Sequence, residues 1–317
     1  MTVAAETTAH RSRRRPRSKR IAQASVPYLL ILPVIIVITA ILGYPLYKLA
    51  TISFQQYGLP ELIQRKGVWT GFDNYSSVLH DSVFWHTLLR TVIFTAANVA
   101  LTIGIGTLIA FLLVRVSTWV RLFLTAGLVF VWSMPAVVAV QVWYWMTNPQ
   151  NGILNHALTQ LHVGDYSQHD WYATTFSKLA MVTVLIVWGA IPFVTITVYA
   201  GLAQVPRELV EAAEIDGAGP LRVFRDVTYP ILKPIFLILT SLSIIWDFGV
   251  FAQPYLLIGA SHIDASNYLM GVYVFIEGYA HSDFGRGAAI SLLMLLMVAA
   301  MSVFYVRQMV KMGEAQR

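Results

Sequence analysis

The chain has 317 residues, of which 57% are hydrophobic and 12% are charged, and its formal net charge is +6. Soluble domains carry roughly 25% charged residues, so this composition excludes an ordinary soluble domain and indicates a membrane protein. Cysteine is absent, which excludes disulfides, thiol catalysis and thiolate metal sites. The eight histidines are scattered without ligand spacing, so we predict no metal site.

Residues 1–25 form a basic tail that contains RSRRRPRSKR. Its low hydrophobicity and high charge predict disorder. Three roles are open: a nucleic-acid arm, the n-region of a signal peptide, or a topology determinant that contacts anionic lipid head groups. The position directly before an apolar run favours the third role, so membrane lipid and not nucleic acid is the predicted partner. A cleaved signal peptide is disfavoured because the apolar run is longer than an h-region.

Six apolar blocks follow the tail, each long enough at roughly 20 residues to cross a hydrocarbon core as a helix. None of them alternates as a barrel strand does. The sequence therefore predicts an all-α, polytopic membrane protein with six transmembrane helices. The blocks lie near residues 28–49, 88–114, 122–146, 179–203, 231–257 and 288–305.

The distribution of the basic residues predicts the orientation. Most of the 22 lysines and arginines fall in the tail, the C-terminus and the segments that share their side of the membrane. The positive-inside rule then places both termini in the cytoplasm. Three longer segments, near 51–87, 147–178 and 259–287, lie outside, and we expect a partner to dock there. The glycines of IGIGTLIAF lie inside the second block and are interpreted as helix-packing positions.

One cytoplasmic loop, about 204–232, is dense in charge, glycine and proline for so apolar a chain. Pro206 suits the first turn of a short helix, and Gly217 suits the left-handed position after its last turn. Pro220 begins a second short helix, which Pro230 and Pro234 are expected to end. The predicted element is therefore a helix, a glycine turn and a second helix outside the bilayer.

The first of these helices is amphipathic. Leu209, Ala212 and Ala213 form a narrow apolar stripe beside a charged stripe that includes Glu211. Such a helix is too short to be stable alone. It is either an ordinary loop folded against its own bundle or a docking element for a soluble partner.

The stretch EAAEIDGAGPLRVFRDVTYP resembles the EAA signature of the membrane subunits of bacterial binding-protein-dependent ABC importers. Val227 and Tyr229 stand where Ile and Leu are commoner. GFDNYSSVLHDSVFWHTLLRTVIFT, VWYWMTNPQNGILN and DFGRGAAIS are similar to segments of the carbohydrate-uptake (maltose and oligosaccharide) permeases of that group. Asp247, Gly249, Ala252 and the stretch GASH depart from the family pattern where substrate contacts are expected. The signature positions matched here are Glu211, Ala212, Ala213, Gly217 and Pro230.

The resemblance implies a type I ABC importer permease fold over residues 26–317, in a bacterial plasma (inner) membrane. It implies a second permease as heterodimer partner, two ATPase subunits that bind ATP and magnesium, and an extracytoplasmic sugar-binding protein. This chain itself would bind no cofactor and would not be an enzyme, in agreement with the absence of a P-loop motif. The residues implied in coupling to the ATPase are Glu211, Ala212, Ala213, Asp216, Gly217, Phe224 and Pro230.

Asp247 is the one carboxylate that falls within a predicted span. An ionisable group at that depth costs at least about 2.5 to 3.5 kcal/mol, so it should face a transport pathway or bond to a neighbouring helix or the second permease. Nearby aromatic residues could stack on sugar faces or simply pack, and the cargo is predicted to be a disaccharide or short oligosaccharide. The candidate pathway residues are Trp188, Phe193, Trp246, Asp247, Phe248 and Phe251.

Three other functions are weighed. A glycerol-phosphate importer should carry basic residues in its pathway, and the spans contain none convincingly placed. An ion-coupled secondary transporter should have inverted repeats and several intramembrane carboxylates, and neither is visible. A membrane scaffold or sensor would need only the polar outer segments.

Overall fold

The computed structural model describes residues 29–259 and 262–315. The basic tail, residues 1–25, lies outside the described residues. The described chain is helical apart from one short strand pair, which confirms the all-α prediction. Its elements are α1 (Leu29–Ser53), β1 (Gln55–Gln56), α2 (Leu59–Gln64), β2 (Val68–Trp69), α3 (Asp73–His80), α4 (Ser82–Arg115), α5 (Thr118–Trp132), α6 (Ala136–Met146), α7 (Ile153–Gln160), α8 (Thr175–Leu202), α9 (Arg207–Ile215), α10 (Pro220–Phe248), α11 (Ala252–Ile258), α12 (Met270–Phe275) and α13 (Phe284–Ala315).

Five of the described helices, α1, α4, α8, α10 and α13, are long and apolar enough to cross a membrane. The predicted span 122–146 is not one straight helix, because α5 and α6 meet at a bend of 100°. Pro135 explains the break: it has no N–H to donate, and its ring disfavours helical backbone at Met134. Counted as one broken span, this pair brings the total to the six predicted.

The predicted span 231–257 is also corrected. Its helix ends at Phe248, with Gly249 as the C-cap, and α11 is a separate short helix. The carbonyl oxygens of Gly249 and Val250 lie against Gly271, at a distance that would not admit a Cβ there. Glycine has a low helix propensity, and this close backbone contact fixes the position of the break.

The prediction that Pro230 and Pro234 end the second cytoplasmic helix is wrong. The helix that begins at Pro220 continues through a π-helical turn, Phe224–Thr228, into the long apolar helix, so α10 is one element. A π turn has wider hydrogen-bonded rings, and it gives the Pro230 ring room. The second arm of the loop is thus the start of a span.

The chain divides into two units, Met1–Thr51 and Ile52–Arg317. The described part of the first unit lies in α1, and its large apolar side chains are exposed from Leu29 to Tyr47. In the second unit, β1 and β2 form an antiparallel pair in which Gln55 is opposite Trp69.

Helices α4 and α8 pack closely in the second unit. A Cβ built on Gly106 would lie 2.7 Å from a methyl carbon of Val194, and the hydroxyl of Thr195 donates a hydrogen bond of 3.2 Å to the Gly106 carbonyl. The interpretation of IGIGTLIAF as a helix-packing stretch is therefore confirmed at Gly106. Gly104 has no such neighbour.

Polar contacts join the start of α4 to the start of α13. Asp81 caps α4 by accepting a hydrogen bond of 2.8 Å from the Val83 N–H and forms an ion pair with Arg286. The Tyr273 hydroxyl donates to the same carboxylate at 3.2 Å. The Nε of Arg286 lies 3.1 Å from Glu277, so this one guanidinium holds three segments together.

Candidate functional site

The loop at 204–232 has the helix and glycine turn that the sequence predicts. Helix α9 ends with hydrogen bonds from Gly217 to the Glu214 carbonyl (3.0 Å) and from Ala218 to the Ala213 carbonyl (2.9 Å). Gly217 has a φ of 80°, the left-handed conformation that favours glycine. α9 is nine residues long and has Pro206 as its N-cap, one position before the first turn, where the sequence predicts this proline. We call residues 206–229 the coupling hairpin.

Three apolar residues around the turn of the coupling hairpin are not covered by the rest of the described chain. Leu209 is 49% exposed, Ile215 86% and Leu221 81%, and no residue of α9 is buried. The alternative of an ordinary loop folded against its own bundle would bury these side chains. Among the coupling residues taken from the signature, Glu211, Ala212, Asp216, Gly217 and Pro230 are exposed, while Ala213 is half-buried.

Phe224 joins the coupling hairpin to the helical bundle. Its ring meets that of Phe111 edge-on, with 5.6 Å between centroids, and lies 6.1 Å from that of Tyr229. Val223 and Thr228 on either side are buried. A surface groove of about 700 Å³ runs beside these residues, between Pro220 and Tyr229. One end of the hairpin is thus fixed to α4 while its apolar tip is exposed.

A second candidate site is a pocket of about 400 Å³ between the broken pair α5 and α6, α8 and α10. Four of the six candidate pathway residues line it: Trp188, Phe193, Trp246 and Asp247. The residues that line the pocket are Val131, Trp132, Met134, Ala136, Ala139, Leu185, Ile186, Trp188, Gly189, Ala190, Phe193, Trp246, Asp247, Val250 and Gln253.

Aromatic rings make up much of the pocket wall. Trp132 stacks on Phe193, with 6.1 Å between centroids and 18° between planes, and Phe193 meets Trp246 at 5.5 Å. Trp132 and Trp246 are each more than half exposed, so flat faces are available to a ligand. The sequence interpretation missed Trp132 and Gln253. The signal for Trp132 was Pro135, since broken helices in membranes often line a binding cavity.

Asp247 is 7% exposed and lies in the pocket wall. Within residues 29–259 and 262–315, no side chain forms a hydrogen bond or an ion pair with its carboxyl group. The alternative of a bond to a neighbouring helix of this chain therefore has no partner in the described residues.

Phe248 and Phe251 do not line the pocket. Phe248 is 2% exposed and packs in a core cluster with Phe84, Met270 and Tyr273. Phe251 stacks on Tyr255 at 5.1 Å between centroids. Adjacent positions on a helix point in different directions, so Trp246, Asp247 and Phe248 could not all face one cavity.

Comparison with known proteins agrees with these features. A family model described as "Binding-protein-dependent transport system inner membrane component" matches residues 102–310. The chain is 41% identical over 300 residues to the diacetylchitobiose uptake system permease protein DasB of Streptomyces coelicolor, covering 95% of this chain and 91% of that protein. It is 30% identical to the trehalose/maltose transport system permease protein MalF of Thermococcus litoralis, covering 90% and 94%.

Among solved structures, the fold is similar to a chain of a bacterial ABC transporter involved in the import of the acidic polysaccharide alginate. The TM-score is 0.77, the identity is 16%, and the match covers 92% of this chain and 98% of that one. This likeness confirms the predicted type I ABC importer permease fold. The matches in sequence and fold together identify the chain as a member of the family of inner membrane components of binding-protein-dependent transport systems, the permease subunits of ABC importers.

Proposed function

We propose that this chain, with a second permease subunit, forms the membrane pathway of an ATP-driven importer for a disaccharide or short oligosaccharide. The names of the two relatives, which refer to diacetylchitobiose and to trehalose or maltose, support this cargo class. The pocket beside α10 supports it as well. Its exposed aromatic faces are suited to a sugar because rings stack on sugar faces, and its polar groups can fix the orientation of the ligand.

The cargo reaches this pathway from an extracytoplasmic binding protein. The outer segments are substantial and folded, and Trp171 in the second of them donates a hydrogen bond of 2.6 Å to Asn155. An ordered outer surface is suited to docking because little entropy is lost when it binds. Both termini and the coupling hairpin lie in the cytoplasm, as the positive-inside distribution predicts.

The coupling hairpin binds an ATPase subunit, which supplies ATP hydrolysis and holds the magnesium ion. The observation that carries this proposal is the exposure of Ile215 and Leu221 at the tip, on either side of the left-handed turn at Gly217. An exposed apolar tip is disfavoured in water and is stabilised by a cleft in a partner. Movement of the ATPase would then reach α4 through Phe224 and Phe111.

The chain has no cysteine, so a cross-linking test needs no prior removal of native thiols from this subunit. We expect Leu221→Cys in the assembled transporter to cross-link to the ATPase subunit. Leu161→Cys, which is 73% exposed in the second outer segment, is the matched control and should not. The proposal is wrong if Leu221→Cys stays freely reactive with a water-soluble thiol reagent in the full complex, or if uptake of labelled N,N′-diacetylchitobiose or trehalose needs no ATPase subunit.

A further inference from the structure

The charge of the pocket is set by one residue. Asp247 is the one acidic residue in its lining, and no Lys, Arg or His of the described ranges lines it. Gln253 is the second polar residue in the wall, and the other lining residues are apolar or aromatic. A carboxylate in such surroundings acts on a ligand with little competition from other groups.

The fold does not determine which charge the cargo carries. The alginate transporter, whose chain has a similar fold, is involved in the import of an acidic polysaccharide, while the relatives of higher identity are named for diacetylchitobiose and for trehalose or maltose. Discrimination between acidic and neutral sugars therefore depends on individual side chains and not on the fold, and side chains in the pathway can contribute to it.

We infer that Asp247 is a specificity-determining residue of this pathway. Its carboxyl group accepts hydrogen bonds from the hydroxyl or acetamido N–H groups of a neutral sugar and excludes sugars that carry a phosphate or a carboxylate. The inference rests on the function proposed above. It gives that pocket a chemical class of cargo and assigns the selection to one residue.

Two physical effects act in the same direction. A buried acceptor without a partner among the described residues favours a ligand that brings a donor, and a site of this kind rejects analogues that cannot donate. When Asp247 is ionised, an anionic ligand would in addition meet a like charge where water is scarce, and there charge repulsion is strong. The start of α6 also lines the pocket through Ala136. Its helix dipole offers about half a positive charge, less than the full charge of a carboxylate.

The test is equilibrium binding to the assembled transporter in nanodiscs, without the binding protein, so that selection outside the membrane does not interfere. The probes are N,N′-diacetylchitobiose and its 6′-phosphate. We expect the wild-type complex to bind the neutral sugar at least about tenfold more tightly, since a like charge at about 4 Å can account for a larger factor. Asp247→Asn should bring the two affinities to within about threefold, and Asp247→Glu, which keeps the charge, should still discriminate.

Equal binding of both sugars by the wild-type complex would overturn the inference. So would discrimination that persists in Asp247→Asn. If that variant still imports the neutral sugar with ATP and still excludes the phosphate, the inference fails while the proposed function stands. If no sugar binds to the wild-type complex, the pocket itself is wrongly assigned.

Discussion

The ring of Phe224 meets the ring of Phe111 edge-on, at 5.6 Å between centroids, and this contact joins the coupling hairpin to α4. Edge-to-face aromatic pairs contribute about 0.5 to 1.5 kcal/mol beyond the burial of their area. We expect Phe224→Ala to lower sugar uptake more than it lowers ATP hydrolysis by the assembled complex. Without the contact between Phe224 and Phe111, less of the movement of the hairpin is transmitted to α4.

A double-mutant cycle with Phe111→Ala measures this contact, and we expect a coupling of about 1 kcal/mol between the two substitutions. Phe123→Ala removes an aromatic ring that is 81% exposed and serves as the control. Additive effects of the Phe224 and Phe111 substitutions on uptake would show that the pair does not act as a unit.

Gly217 and Gly219 offer a matched pair of substitutions in the turn. A Cβ would meet no atom within 4 Å at either position, but Gly217 has a φ of 80° and Gly219 does not lie in the left-handed region. Gly217→Asp should therefore distort the turn at a cost of about 1 kcal/mol and abolish uptake while leaving the complex partly assembled. Gly219→Asp places the same charge at the N-cap of α10, where Asp is favourable, and should transport normally. Equal loss of uptake in both variants would point to charge rather than to backbone geometry.

The two aromatic residues Phe193 and Phe248 should respond differently to truncation. Phe193→Ala removes part of the pocket wall, so we expect a weaker apparent affinity for sugar with little loss of folded protein. Phe248→Ala leaves a cavity in a core cluster and should lower the free energy of unfolding by about 3 to 5 kcal/mol. Thermal unfolding of the purified chain and uptake at several sugar concentrations separate the two results. If Phe248→Ala weakened the apparent affinity for sugar without lowering stability, Phe248 would be a pathway residue after all.

The surroundings of the Tyr273 hydroxyl predict that the folded chain loses stability at alkaline pH. Burial raises the pKa of its hydroxyl to about 12, although the hydrogen bond from Arg286 opposes this rise. The folded state thus favours the neutral phenol, and its contribution to stability is complete below the ordinary value of about 10 and is lost as pH rises towards 12. Unfolding measured across this range should depend less steeply on pH in Tyr273→Phe than in the wild type. Tyr279→Phe, at an exposed position, should keep the wild-type dependence.

The sequence predicted the elements that short-range rules determine. Gly217 and Pro220 are where turn and helix-start chemistry place them, and the apolar blocks became helices because the bilayer leaves few alternatives for the backbone. It did not predict what depends on packing. Whether a proline such as Pro230 ends a helix depends on the turn before it, and whether Phe248 faces a pocket depends on neighbours far along the chain. Trp132 lines the pocket because the chain bends at Pro135, between α5 and α6.

Helix α10 carries Phe224 near one end and Asp247 near the other, roughly 35 Å apart along a helix axis. Because no loop separates them, the helix can act as a single lever. A displacement imposed at the hairpin must be absorbed in the π turn or delivered to the wall of the pocket. The stiffness of the π turn, Phe224–Thr228, would then determine how much of the movement of the ATPase subunit is transmitted to the pocket wall.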